Sequence, residues 1–115
     1  MPRSMSFSKT TAQVRARTKT VTRRLGWRWL QVGTLLWAVE KGRGLKKGER
    51  VKRLALIRVV GVNVEPLQEI TLRDVIREGF PGWTPADFVR RFCEWSRVTP
   101  EHPVTVIKFE YVKAA

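Results

Sequence analysis

The chain has 115 residues, of which 43% are hydrophobic, 10% aromatic and 29% charged, a balance that suits one folded domain over residues 1–115 and excludes a disordered polypeptide. It holds no apolar run near the ~20 residues that a membrane-spanning helix needs, and its single cysteine, Cys93, excludes an internal disulfide framework. The net charge of +13 lies in the first half: residues 1–53 carry fifteen Lys or Arg against Glu40 and Glu49, whereas residues 54–115 carry eight basic and eight acidic residues. Such asymmetry points to a polyanionic partner, a nucleic acid or nucleotide, rather than to a chain merely kept soluble by its cations. This length suits one modest core and not two. Met1–Phe7 lacks the apolar segment of a signal peptide, so an intracellular, cytoplasmic protein is expected, with no membrane association.

Met1–Ser4 reads as a loose terminus and Met5–Phe7 as a short first strand. Ser8 suits an N-cap, and Lys9–Arg17 reads as a short helix with Ala12, Val14 and Ala16 as its apolar residues. Lys19–Arg24 then turns β-like through Thr20, Val21 and Thr22. In an ideal strand Thr20, Thr22 and Arg24 share one face while Lys19 points away, so Lys19 reaches Thr22 only from the preceding turn or through a bulge. This segment reads K-T-x-T-x-R, a lysine beside two hydroxyls, flanked by Arg15, Arg17, Arg23 and Arg24 as a phosphate grip. Trp27 and Trp29 follow, suited either to base stacking or to the core.

Thr34–Glu40 reads as a strand with Leu35, Trp37 and Val39 on one face. Lys41–Lys52 reads as a cationic hairpin loop; its glycines and lysines lack the spacing of a P-loop. Arg53–Val64 is the longest strand-like run and is apolar on both faces, with Gly61 marking a bend or bulge. Thr71 caps a helix over Leu72–Glu78, with Asp74 completing a capping-box pattern and Gly79 placed for a left-handed stop. Glu78 thus sits in the last turn, where the helix dipole disfavours a carboxylate by ~0.3–1 kcal/mol. Thr84 caps a second helix, with Pro85 at its first position and Asp87 three residues after the cap. Phe88, Phe92 and Trp95 form an apolar stripe for the core, and Cys93 packs beside it. His102 is the only histidine, so a zinc site is not expected, and no other cofactor is implied. Val104–Tyr111 alternates cleanly and closes the domain, with Thr105, Ile107, Phe109 and Tyr111 facing one way. Many short strands and two or three helices predict an α+β domain, a small β-barrel of about five to six mostly antiparallel strands with helices outside it.

The K-T-x-T-x-R segment, Val32-Gly33 opening the next strand, Arg77-Glu78-Gly79-Phe80 closing a short helix, and a terminal strand ending I-K-F-E-Y together resemble the ASCH domain, one of the PUA-like β-barrels. The resemblance spans about residues 5–112 and rests on order and spacing rather than on any one motif. It implies a fold of that type. It also implies, from the small bacterial amidohydrolases of the family that convert N4-acetylcytidine to cytidine and acetate, a catalytic set at Lys19, Thr22 and Glu78. Other members are regarded as RNA-binding modules or ribonucleases. The chain departs from some relatives in lacking a glycine before the lysine, and it adds an unusually basic hairpin at Lys41–Arg53.

Amide hydrolysis needs an activated nucleophile, and a threonine hydroxyl is activated by a base that takes its proton. A lysine serves only when neutral; burial and neighbouring cations push it that way. The expectation is that Lys19 activates Thr22, that Glu78 handles the proton of the leaving cytosine or holds its edge, and that Thr20, Arg24 and Trp27 bind substrate. Arg17, Arg23, Lys41, Arg43, Lys46 and Lys47 would carry a nucleic acid. The expected partner is a modified cytidine nucleoside or RNA; a non-catalytic RNA-binding module and a metal-independent ribonuclease are the alternatives.

Overall fold

The computed structural model describes residues 2–41, 48 and 50–113. In chain order these form β1 (Arg3–Ser6), α1 (Thr11–Arg15), β2 (Val21–Arg24), β3 (Leu35–Val39), β4 (Arg53–Pro66), a 3-10 turn (Leu67–Glu69), α2 (Leu72–Arg77), α3 (Pro85–Ser96) and β5 (Pro103–Tyr111). The strands make one mixed sheet in the order β1-β3-β4-β5-β2, in which only β1 and β3 run parallel. The expected α+β fold is present, but the sheet is open and does not close into a barrel. Its edge strands, β1 and β2, are joined by a side chain: Arg24 Nη2 donates to the Ser6 carbonyl at 2.6 Å.

The core is two apolar clusters rather than the one that chain length suggested. The first gathers Met5, Phe7, Val14, Leu36, Ile57 and Phe109; the second gathers Val21, Val75, Phe88, Phe92, Val104 and Val106 beneath α2 and α3. Strand β5 belongs to both, because consecutive side chains leave opposite faces of a strand. Its alternation is the expected one, with Ile107 and Phe109 on the first cluster.

Other expectations shift. Helix α1 starts at Thr11, not Lys9, because the amide of Thr10 and the hydroxyl of Thr11 both donate to the Phe7 carbonyl at 3.0 Å and hold residues 7–10 as a turn. Strand β3 buries Leu36 and Ala38, and Val39 after a register shift between Ala38 and Val39, and leaves Leu35 exposed. All five of its residues are apolar, so alternation carried no signal and pairing between β1 and β4 chose the face. Only one face of β4 is buried, through Ala55, Ile57 and Val59; Val60 and Val64 are exposed. Gly61 does mark a bulge: Val59 pairs with Phe109 and Gly61 with Lys108, leaving Val60 as the extra residue.

The caps predicted for α2 and α3 form, whereas Ser8 does not cap α1, whose capping position is Thr10. The Thr71 hydroxyl accepts from the Asp74 amide at 3.2 Å, and Thr84 and Asp87 make a complete capping box. Asp74 does not complete the first box, because its carboxylate is taken by Arg23 at 2.8 Å. Trp95 is 39% exposed and outside the core stripe, since the end of α3 runs past the second cluster.

Candidate functional site

Residues 18–20 cross from α1 to β2 and are fixed from three sides. The amide of Thr18 donates to the Gln13 carbonyl at 3.0 Å and that of Thr20 to the Arg77 carbonyl at 2.8 Å. The Thr20 carbonyl accepts from Phe109, and the Tyr111 hydroxyl donates to the Lys19 carbonyl at 2.5 Å. Burial pushes the Tyr111 phenol up to about 12, against the opposing charge of Arg17, so it stays a donor at neutral pH. Lys19 therefore sits in the turn before the strand, one of the two placements that could bring it toward Thr22.

The Lys19 ammonium is buried, donating to the Glu78 carboxylate at 2.7 Å and to the Glu78 backbone carbonyl at 2.8 Å. This explains an acid at the end of α2: one ammonium neutralises both the carboxylate and the carbonyl that caps the helix. The second oxygen of Glu78 accepts from Arg23 at 3.3 Å. Desolvation moves the Lys19 ammonium below its ordinary range, with Arg24 and Arg23 adding to the effect and Glu78 opposing it.

Thr22 lies on β2, 3% exposed, and its hydroxyl accepts from Arg24 Nε at 3.1 Å, so the two share a strand face as alternation requires. Burial pushes the Arg24 guanidinium down to about 10, opposed by the charge of Glu78. Among the described residues no hydrogen bond joins Lys19 to Thr22. Both, with Glu78, Arg23 and Arg24, line one cavity of about 340 Å³, at the lower end of the range for small-molecule sites.

The remaining expected binding residues divide. Thr20 is used through its backbone and does not line the cavity. Trp27 packs on the first core cluster with its ring stacked on Trp29 at 5.3 Å, also away from the cavity. Arg23 is 4% exposed and committed to Glu78 and Asp74, which corrects its assignment to an outer nucleic-acid surface. Arg17 is exposed, with its guanidinium 5.1 Å from the Tyr111 ring centre. Lys41 is exposed; Arg43, Lys46 and Lys47 lie outside the described residues.

Sequence reasoning missed the aromatic wall and the rim. Phe80, Phe88, Phe92 and Trp95 line the cavity, and so do Ser8, Lys9 and Thr10. Phe80 stacks on Trp83 at 3.9 Å, and Trp83 lies 6.2 Å from Trp95. The Arg77-to-Phe80 element carried the only signal for Phe80; nothing in the sequence distinguished Trp95 from a core residue. Cys93 is half-buried beside the second cluster, and burial pushes its thiol up, away from reactivity. Among the described residues no cluster of His, Cys, Asp and Glu could hold a metal ion.

No family model and no curated sequence matches the chain. Solved structures do. A protein from Enterococcus faecalis V583, of the family DUF984, aligns with a TM-score of 0.66 and 19% identity over 97% of this chain and 80% of its own. The hypothetical protein PH0355 aligns at 0.68 and 15% identity over 97% of this chain and 100% of its own. An ASCH domain from Lactobacillus crispatus JV V101 aligns at 0.64 and 14% identity over 95% of this chain and 78% of its own. At these identities the likeness shows the fold alone, a small α+β architecture shared with an ASCH domain structure and a DUF984 protein.

Proposed function

We propose that the protein is an amidohydrolase that removes the acyl group from N4-acylated cytidine, with Thr22 as nucleophile. The observation that carries this reading is one small cavity lined by a buried threonine, a buried lysine of lowered pKa and a buried carboxylate, with an aromatic wall suited to a planar base. Lys19 and Glu78 are a proton-sharing pair. With the proton on Glu78, neutral Lys19 takes the Thr22 proton as Thr22 Oγ1 bonds to the acyl carbon. The oxyanion so formed is stabilised by Arg24, whose Nε already points a donor at Thr22 Oγ1. The C–N bond breaks as Glu78 gives its proton to N4, which leaves as the amine of cytidine. Water then attacks the acyl carbon, losing a proton to Glu78; the Thr22 Oγ1–carbon bond breaks, Lys19 returns its proton to Thr22 Oγ1, and the acid departs, ionising to the carboxylate. The test is intact-mass analysis during turnover of N4-acetylcytidine. Acetyl mass on the wild type, mapped to the peptide with Thr22 and absent in Thr22→Ala, is expected; turnover with no acyl-protein after rapid acid quench contradicts the covalent step.

A second reading, an RNA-binding surface, has its own observation. Trp29 is 57% exposed, stacked on Trp27, with the Arg3 guanidinium 5.0 Å from its ring centre. Exposed aromatic and cationic groups together form the platform that single-stranded bases stack on.

A further inference from the structure

The cavity holds more positive charge than the proposed reaction uses. Lys19 is paired with Glu78, and Arg23 with Asp74 and Glu78. Arg24 bonds the Thr22 hydroxyl and the Ser6 carbonyl, both neutral, and faces the reacting centre. Lys9 remains. Among the described residues it makes no ion pair, and its ammonium lies 4.8 Å from the ring centre of Trp95, on the same cavity. It stands between Ser8, exposed, and Thr10, whose hydroxyl makes no cap bond to α1 although Thr10 occupies the capping position. A lysine and two hydroxyls in consecutive positions, with a tryptophan face beside them, supply a point charge, donors and a stacking surface.

We propose that this rim is a phosphate subsite, and that the cytidine derivative taken by the cavity carries a phosphate, as a mononucleotide or within a short chain. The inference rests on the proposed function for the identity of the base, but its binding test requires no turnover. Lys9 supplies the ammonium for the phosphate, Ser8 and Thr10 donate hydroxyl hydrogens to its oxygens, and Trp95 flanks the sugar or base. A free nucleoside leaves the Lys9 ammonium without an anion.

The test is calorimetric titration at fixed ionic strength with cytidine, cytidine 5′-monophosphate and a cytidine trinucleotide, on the wild type, Lys9→Ala and Lys9→Arg. One charge-assisted phosphate contact is expected to tighten the monophosphate over cytidine by about tenfold or more, a ratio that falls toward one in Lys9→Ala and recovers in part in Lys9→Arg. A trinucleotide tighter than the monophosphate assigns the subsite to a chain, and equal affinities assign it to a mononucleotide. Cytidine and its monophosphate binding alike, or a ratio that survives Lys9→Ala, overturns the subsite. A phosphate-dependent ratio with no hydrolysis of any N4-acetyl derivative keeps the subsite and removes the amidohydrolase reading.

Discussion

Burial pulls the Lys19 ammonium toward the neutral amine, and the Glu78 carboxylate at 2.7 Å pulls it back. The balance favours the amine relative to an exposed lysine, and the proposed reaction needs one proton shared by Lys19 and Glu78, so its rate falls as pH rises through the Lys19 pKa, which lies below 10.5. The stability consequence runs the other way. The folded pKa lies below the unfolded one, so between the two the unfolded chain binds more protons, and stability rises as pH rises through that window. Lys19→Arg separates base from charge: arginine keeps a cation for Glu78 and cannot lose its proton. It is expected to fold and to lose activity by about a hundredfold to ten-thousandfold at every pH, read as kcat against pH. An arginine variant that retained the wild-type profile would remove Lys19 as the base.

Two elements hold the site, β2 and the end of α2, and the contacts between them are polar. Arg23 reaches from β2 to Asp74 and Glu78 on the α2 side, with Glu65 3.9 Å away. Arg23→Ala takes the 2.8 Å cation from Asp74 and leaves Glu78 with Lys19 alone, and is expected to cost about 3–5 kcal/mol in urea denaturation. Gly79 turns the chain after α2 at φ +104, and a Cβ there would stand 2.7 Å from the Gln13 side chain. Gly79→Ala is therefore expected to cost about 1–3 kcal/mol and to displace Glu78, whereas Gly61→Ala, whose Cβ meets Lys108 at an ordinary 3.5 Å, stays within about 1 kcal/mol. Thermal melts of the two variants side by side check the contrast. These helix ends were legible because caps and stops are local: Thr71, Gly79, Thr84 and Pro85 each announce one position. The face of β3 was not legible, since its five residues are uniformly apolar, and the exposure of Trp95 was not, since it depends on how far the second cluster extends along α3.

At the scale of the molecule, an open sheet places its two edges beside one cavity, and Arg24 spans them from Thr22 on β2 to Ser6 on β1. The fold was legible in the order of the elements, and Lys19, Thr22 and Glu78 were legible as a set through a family resemblance. The rim and wall come from three segments, residues 8–10, 80 and 88–95, and had no common signal in the sequence. The charge excess of the first half was legible and its use was not, because Arg23 spends its charge inside while Arg3, Arg17 and Lys9 remain at the surface. Single-stranded RNA is expected to bind through the Trp29 platform with an affinity that falls steeply with salt, and Trp29→Ala to weaken it by about 1–3 kcal/mol, in fluorescence anisotropy titrations. The central claim, amide hydrolysis at Thr22, is tested most directly by incubating the purified protein with N4-acetylcytidine and separating the products chromatographically, beside Thr22→Ala and Lys19→Ala. The account predicts cytidine from the wild type and none from either variant; cytidine from all three alike, or none from a folded wild type, would contradict it.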